Sequence, residues 1–125
     1  MTAKGDAVLV VDDDFDLLEM VQTLLEIGGY RVVTAMEGGE ALQRVAEEMP
    51  AVILLDMKMP GMDGWEFARE FRDRYDHQAP IVVLTAAEDA AGRAAEIGAE
   101  GYLGKPFDID DLLRTVEKYV VKGTK

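Results

Sequence analysis

The chain is expected to fold as an α/β protein built on a five-stranded parallel sheet, and three observations predict this. Five short apolar runs alternate with segments of helical period, with no repeat, low-complexity tract or linker between them. Four of the five runs are β-branched or continuously apolar, as strands covered on both faces should be. Asp12, Asp13, Asp56, Thr85 and Lys105 each stand at the C-terminal end of one of these runs. Parallel strands therefore bring three carboxylates, a hydroxyl and an ammonium to one edge.

The first run is Ala7 to Val11. Asp14 is placed to cap the helix that follows, in which Leu17, Leu18, Val21, Leu24 and Leu25 repeat at helical spacing until Gly28-Gly29 supplies a stop. Val32 to Ala35 is the second run, and Ala41, Leu42, Val45 and Ala46 mark the second helix. The third run, Ala51 to Leu55, leads through a glycine-bounded loop at Gly61 to Gly64 into a helix carrying Phe67, Ala68 and Phe71. After Ile81 to Leu84 comes an alanine-rich segment, Asp89 to Ile97, with Gly92 in mid-run at a cost of about 1 kcal/mol relative to alanine. A short, easily shifted fourth helix is expected there. Tyr102 to Leu103 is the fifth run, and Leu112, Leu113, Val116, Tyr119 and Val120 define the last helix, with Asp108 as its N-cap and Asp110 and Asp111 in its first turn. Each connection between strands contains a helix, which makes neighbouring strands parallel and the crossovers right-handed.

Composition bounds the function. The 125 residues suit one domain over 1–125, with an ordered core expected at about 6–121 and no second output domain. A net charge of −12, from 25 acidic and 13 basic residues, repels a phosphate backbone and argues against direct nucleic-acid binding. With no cysteine there are no disulfides and no thiolate metal sites. No apolar stretch approaches the length of a membrane span, so a cytoplasmic protein is expected.

In an open parallel sheet the binding crevice lies beyond the carboxyl ends of the strands, where the strand order reverses. Taking the order 2-1-3-4-5 from the fold class, that point falls between the strands ending in Asp12-Asp13 and in Asp56. Two ionised carboxylates about 4 Å apart repel by about 4 kcal/mol at an effective dielectric near 20, equivalent to about three pKa units. Three cannot all stay charged unaided. Protonation is one answer, and a hard divalent cation held by oxygen ligands is the other. Magnesium is favoured, because it accepts few protein ligands and keeps waters that substrate oxygens replace.

The stretches VLVVDDD (Val8 to Asp14), LLDMKMPGMDG (Leu54 to Gly64), VLTA (Val83 to Ala86) and GYLGKPF (Gly101 to Phe107) resemble the four signatures of a response-regulator receiver domain, in order and at its spacings. The resemblance covers essentially the whole chain and implies the flavodoxin-like, doubly wound fold with five flanking helices. It implies that Asp56 takes a phosphoryl group, as aspartyl phosphate, from a phosphohistidine on a sensor histidine kinase or histidine phosphotransfer protein, or from a small acyl phosphate. By the same resemblance Asp13, Asp56 and the backbone carbonyl of Lys58 ligate Mg²⁺, with Asp12 acting through water. Lys105 and Thr85 then hold phosphoryl oxygens, Tyr102 matches the family's switch aromatic, and the Lys105–Pro106 bond is cis. The signal would appear on the face made by the fourth helix, fifth strand and fifth helix, for a protein target, from a monomer or a phosphorylation-linked dimer. Beyond phosphoryl acceptance and its slow self-reversal no enzymatic activity is expected.

Two positions depart from the commonest pattern. Lys58 and Ala87 stand where this family flanks the water that attacks the acyl phosphate, and alanine offers that water no polar contact, so slow self-dephosphorylation is expected. Phe15 and Phe107 flank the acidic edge without belonging to a core stripe, and are expected to help seat the phosphodonor protein.

Plainer readings compete at each position. Taken alone, Asp12 to Asp14 is an acidic helix start, Thr85 an ordinary strand residue and Lys105 a solvated charge. Only their joint placement lifts them. Met57, Met59 and Met62 read better as gap-fillers than as a docking rim, and His77 has no chemical role. A haloacid-dehalogenase-like phosphatase needs threonine or valine where Asp16 stands, and a calcium loop needs glycine where Leu17 stands. A flavodoxin-like electron carrier would place hydroxyls and glycine at its phosphate loop. The remaining alternative is a receiver-like interaction module that signals without phosphorylation.

Overall fold

In the computed structural model, which describes residues 6–120, five parallel strands run in the order β2-β1-β3-β4-β5. They are β1 (Val8–Val11), β2 (Val32–Ala35), β3 (Val52–Leu55), β4 (Ile81–Ala86) and β5 (Gly101–Lys105). Between and after them come helices α1 (Phe15–Ile27), α2 (Gly38–Glu47), α3 (Gly64–Tyr75), α4 (Ala87–Ile97) and α5 (Ile109–Glu117). Residue 121, the end of the expected ordered core, lies outside the described residues. Among the described residues no helix is long and apolar enough to cross a membrane.

Strand pleating divides the core. Leu9, Val11, Ile53, Leu55, Ile81 and Val83 face one layer with α2, α3 and Ala94 of α4, where Phe67 and Phe71 stack at 5.9 Å. Val8, Val10, Val52, Leu54, Val82 and Leu84 face the other with α1 and α5. Burial on both faces is why these strands read as unbroken apolar runs rather than as alternating ones. Met57 and Met59 are buried and Met62 packs against the same layer, so these methionines fill gaps.

Caps form where short acidic side chains precede the helices. Asp14 accepts from the Leu17 N–H at 3.2 Å and Asp108 from the Asp111 N–H at 2.8 Å. Asp63 does the same for α3, accepting from Glu66 N–H at 2.9 Å. At the end of α1, Gly28 keeps a right-handed conformation while Gly29, at φ 95°, takes the left-handed turn that ends the helix.

Several boundaries differ from the sequence expectation. α4 starts at Ala87 and runs 11 residues, two earlier than expected and longer than α2 or α5, because Gly92 faces open space and its cost is only conformational. α5 stops at Glu117, leaving Tyr119 in the following turn and Val120 just past it, although Val120 is still buried. β4 and β5 extend to Ala86 and Lys105, so Thr85 and Lys105 are strand residues, paired in register with Gly104 and Ala86.

Candidate functional site

Register builds the site. Val11 and Leu55 are direct partners across the β1–β3 pair, and the ladder continues one step as the Asp56 N–H donates to the Val11 carbonyl at 2.8 Å. Asp12 and Asp56 therefore lie side by side at the point where the strand order reverses. Thr85 near the end of β4 and Lys105 at the end of β5 share this edge.

Asp12, Asp56 and Thr85 are the buried polar residues among those described, whereas Asp13 is exposed. One carboxylate oxygen from each of Asp12, Asp13 and Asp56 lies within 4.8 Å of the others. The Lys105 ammonium donates to Asp12 Oδ2 at 2.7 Å and stands 3.7 Å from Asp56 Oδ1. Asp12 Oδ1 accepts from the Asp14 N–H at 3.0 Å, so both of its oxygens are engaged. Lys105 thus spends most of its charge on Asp12.

Asp56 carries the unrelieved strain of the cluster. Burial, then the charge of Asp12, with Asp13 adding to it, pushes its carboxyl up to about 6, although Lys105 and the Lys58 N–H pull the other way. A single ammonium does not neutralise three crowded carboxylates. An all-oxygen donor set with excess negative charge fits a hard divalent cation.

The other predicted residues lie on β5, at the start of α1 and on the segments that follow β3 and β5. Lys58 is exposed just past β3, and the Lys105–Pro106 peptide bond is cis. Tyr102 is 55% exposed on β5, with its ring outside the core. Phe15 is 59% exposed at the start of α1, but Phe107 is half-buried against the α1/α5 layer, so part of its ring is core after all. Beside it a groove of about 520 Å³ is lined by Leu17, Met20, Ala86, Lys105, Pro106 and Phe107. His77 is remote from the edge, between Arg72 and Glu100.

Two features escape a reading by motif. A Cβ on Gly104 would come within 2.6 Å of the Ala87 Cα, so this glycine lets the first turn of α4 lie flat on β5 next to Thr85. A glycine inside a strand signals such close approach, and that signal was available. The bridge from Trp65 to Glu96, 31 positions away, left no local trace.

Comparison with known proteins gives a concordant result. The response regulator receiver domain family matches residues 8–117. Response regulator MprA of Mycolicibacterium vanbaalenii is 42% identical over 119 residues, covering 94% of this chain and 51% of its own. The transcriptional regulatory protein GltR of Pseudomonas aeruginosa is 37% identical over 123 residues, covering 94% of this chain and 50% of its own. The chain thus spans about half the length of these curated relatives. Among solved structures, chemotaxis protein CheY4 of Vibrio cholerae superposes with a TM-score of 0.82 at 35% identity, covering 94% of this chain and all of that one. A CheY-like receiver domain protein from Methanospirillum hungatei gives 0.80 at 29% identity, over 90% and 91% of the two chains. With the doubly wound sheet and the acidic edge on β1 and β3, these matches show that the chain belongs to the response-regulator receiver domain family of two-component signalling.

Proposed function

We propose that the domain accepts a phosphoryl group on Asp56 from a phosphohistidine of a sensor histidine kinase or histidine phosphotransfer protein, in the cytoplasm and in a Mg²⁺-dependent manner. The observation that carries this reading is the gathering of Asp12, Asp13 and Asp56 within 4.8 Å beside Lys105 at the reversal of strand order. An oxygen of the Asp56 carboxylate forms a bond to phosphorus while the bond from phosphorus to the imidazole nitrogen breaks, and the bonding pair stays on that nitrogen. Phosphoryl transfer of this kind asks little covalent chemistry of a protein and much positioning and charge compensation.

Asp13, Asp56 and the Lys58 backbone carbonyl would hold Mg²⁺, with Asp12 acting through water; when bound, the ion supplies positive charge for the phosphoryl oxygens. Lys105 is already 3.7 Å from Asp56 and needs only a small shift away from Asp12 to pair with an arriving oxygen. Thr85 donates its hydroxyl to another. Ala86, next in the chain, is small and leaves the approach to phosphorus open. Drawing Thr85 inward moves the start of α4 and vacates space for the outward ring of Tyr102, so the signal appears on the α4-β5-α5 face for a protein target. Phe15 and the exposed part of Phe107 would help seat the donor.

Lys58 and Ala87 are both exposed, and neither offers a carboxylate or amide to orient a hydrolytic water. Self-dephosphorylation is accordingly slow, and the domain turns over no other substrate. Mass spectrometry after exposure to acetyl phosphate and Mg²⁺ tests the reading. One added phosphoryl group, lost in Asp56→Asn, is the expected result; no uptake by a folded wild-type domain would leave only a phosphorylation-independent interaction module.

A further inference from the structure

α4 is weakly anchored. Its fully buried residues are Ala90 and Ala94, with Ile97 packed half-buried against the core, whereas α1 buries Leu18, Val21 and Leu25, and α3 buries Phe67 and Phe71. Two alanines and a half-buried isoleucine remove less apolar area from water than the side chains of α1 or α3, so packing holds this helix less firmly than those two. Its N-terminus has no side-chain cap, and it follows β4 directly, with Ala86 the last strand residue and Ala87 the first helical one. Any displacement of Thr85 is therefore delivered to α4 with no loop to absorb it.

Polar contacts hold the other end. The Trp65 indole N–H on α3 donates to Glu96 Oε1 at 2.8 Å, and Arg93 donates to Glu96 Oε2 at 2.6 Å. The Arg93 guanidinium also lies 5.5 Å from the centre of the Trp65 ring, closing a three-membered bridge from α3 to α4. Glu96 responds to it: the Arg93 and Trp65 hydrogen bonds, in that order, hold its carboxyl below the usual range.

We propose that Trp65, Arg93 and Glu96 form a latch that holds α4 against α3 and thereby sets how readily occupation of the Asp56 site repositions α4. These are positioning residues, since none touches the reacting atoms. The inference rests on the phosphoryl-accepting reading above. Coupling is reciprocal: if occupation of the site must open the latch, then the closed latch weakens binding at the site, and removing it strengthens that binding by the same factor.

The test titrates the Mg²⁺-loaded domain and each variant with beryllofluoride, a mimic of the phosphoryl group, reading affinity by calorimetry and the state of the bridge in wild type by fluorescence. Trp65 is the only tryptophan, so its emission reports the bridge directly. Wild type is expected to show an emission change on saturation. Trp65→Phe, which keeps an aromatic ring and removes the N–H, should bind about two- to five-fold more tightly, the scale of one exposed hydrogen bond. Glu96→Leu should do the same, and the double variant should gain no more than the larger single effect. Glu70→Gln, which breaks the similar Arg74–Glu70 pair within α3, controls for loss of negative charge and should leave affinity unchanged. Unaltered affinity in Trp65→Phe, an equal gain in Glu70→Gln, or an emission unmoved by saturation each overturns the latch while leaving phosphoryl acceptance intact. A wild-type domain that binds no beryllofluoride at all overturns both.

Discussion

At the scale of the residue, Asp56 shows how crowding raises the proton affinity of a carboxylate. Its carboxyl titrates near 6 because burial and the Asp12 charge disfavour ionisation more than Lys105 restores it. The folded state therefore binds this proton more tightly than the unfolded chain, in which an aspartate titrates near 4. By linkage, its contribution to stability is full below about pH 4 and is lost as pH rises through about 6. In the absence of metal, Asp56→Asn should stabilise the domain against urea by on the order of 2–3 kcal/mol at pH 7.5 and by almost nothing at pH 4. Equal stabilisation at both pH values would show that the carboxylate is not strained. Lys105 has the opposite role, as the cation that, among the described residues, pairs with both buried carboxylates. Lys105→Met should slow acetyl-phosphate labelling by about 100-fold or more, the scale of removing one preorganised charge from a developing phosphoryl transition state. Position Lys58 bears on the lifetime of the product: Lys58→Asn and Ala87→Glu should each shorten the phosphorylated half-life, read by acid-quenched decay, and a wild-type decay faster than both would refute slow hydrolysis.

At the scale of the element, the glycines show what a side chain would disturb. Gly104 has room for no Cβ against Ala87, so Gly104→Ala forces α4 away from β5. Overpacking of this kind costs about 1–3 kcal/mol and should lower the urea midpoint, with the first turn of α4 losing hydrogen-exchange protection first. Phe71→Ala tests the centre of the layer that α4 shares, where a fully buried ring stacked on Phe67 should cost about 3–5 kcal/mol. The elements themselves were legible in the sequence because apolar runs, Asp caps and glycine stops are local signals. Asp14 and Asp108 cap their helices where their positions suggested. Ends were harder: α4 begins at Ala87, since helix-forming alanines continue back to the last strand residue and Gly92 breaks nothing by pointing at solvent. Phe107 looked free of the core because its partners come from distant segments. The Lys105–Asp12 pair and the Trp65–Glu96 bridge were hidden for the same reason, spanning 93 and 31 positions of chain.

At the scale of the whole molecule, topology gathers the acidic edge. No local motif joins Asp12 to Asp56; parallel crossovers place both at strand tips on the same side, and the reversal of strand order opens the crevice between them. The net charge of −12 adds a long-range field that attracts divalent cations and opposes anionic donors. Raising ionic strength from low to physiological should therefore weaken metal binding while easing the approach of acetyl phosphate.

All of these effects converge on one quantity, the affinity of the folded, metal-free domain for Mg²⁺. Calorimetric titration at pH 7.5 should show one site, weakened at pH 5.5 as Mg²⁺ competes with the proton on Asp56, and abolished or nearly so in Asp13→Asn. Binding that is absent in the wild type, or indifferent to both pH and Asp13→Asn, would contradict the account.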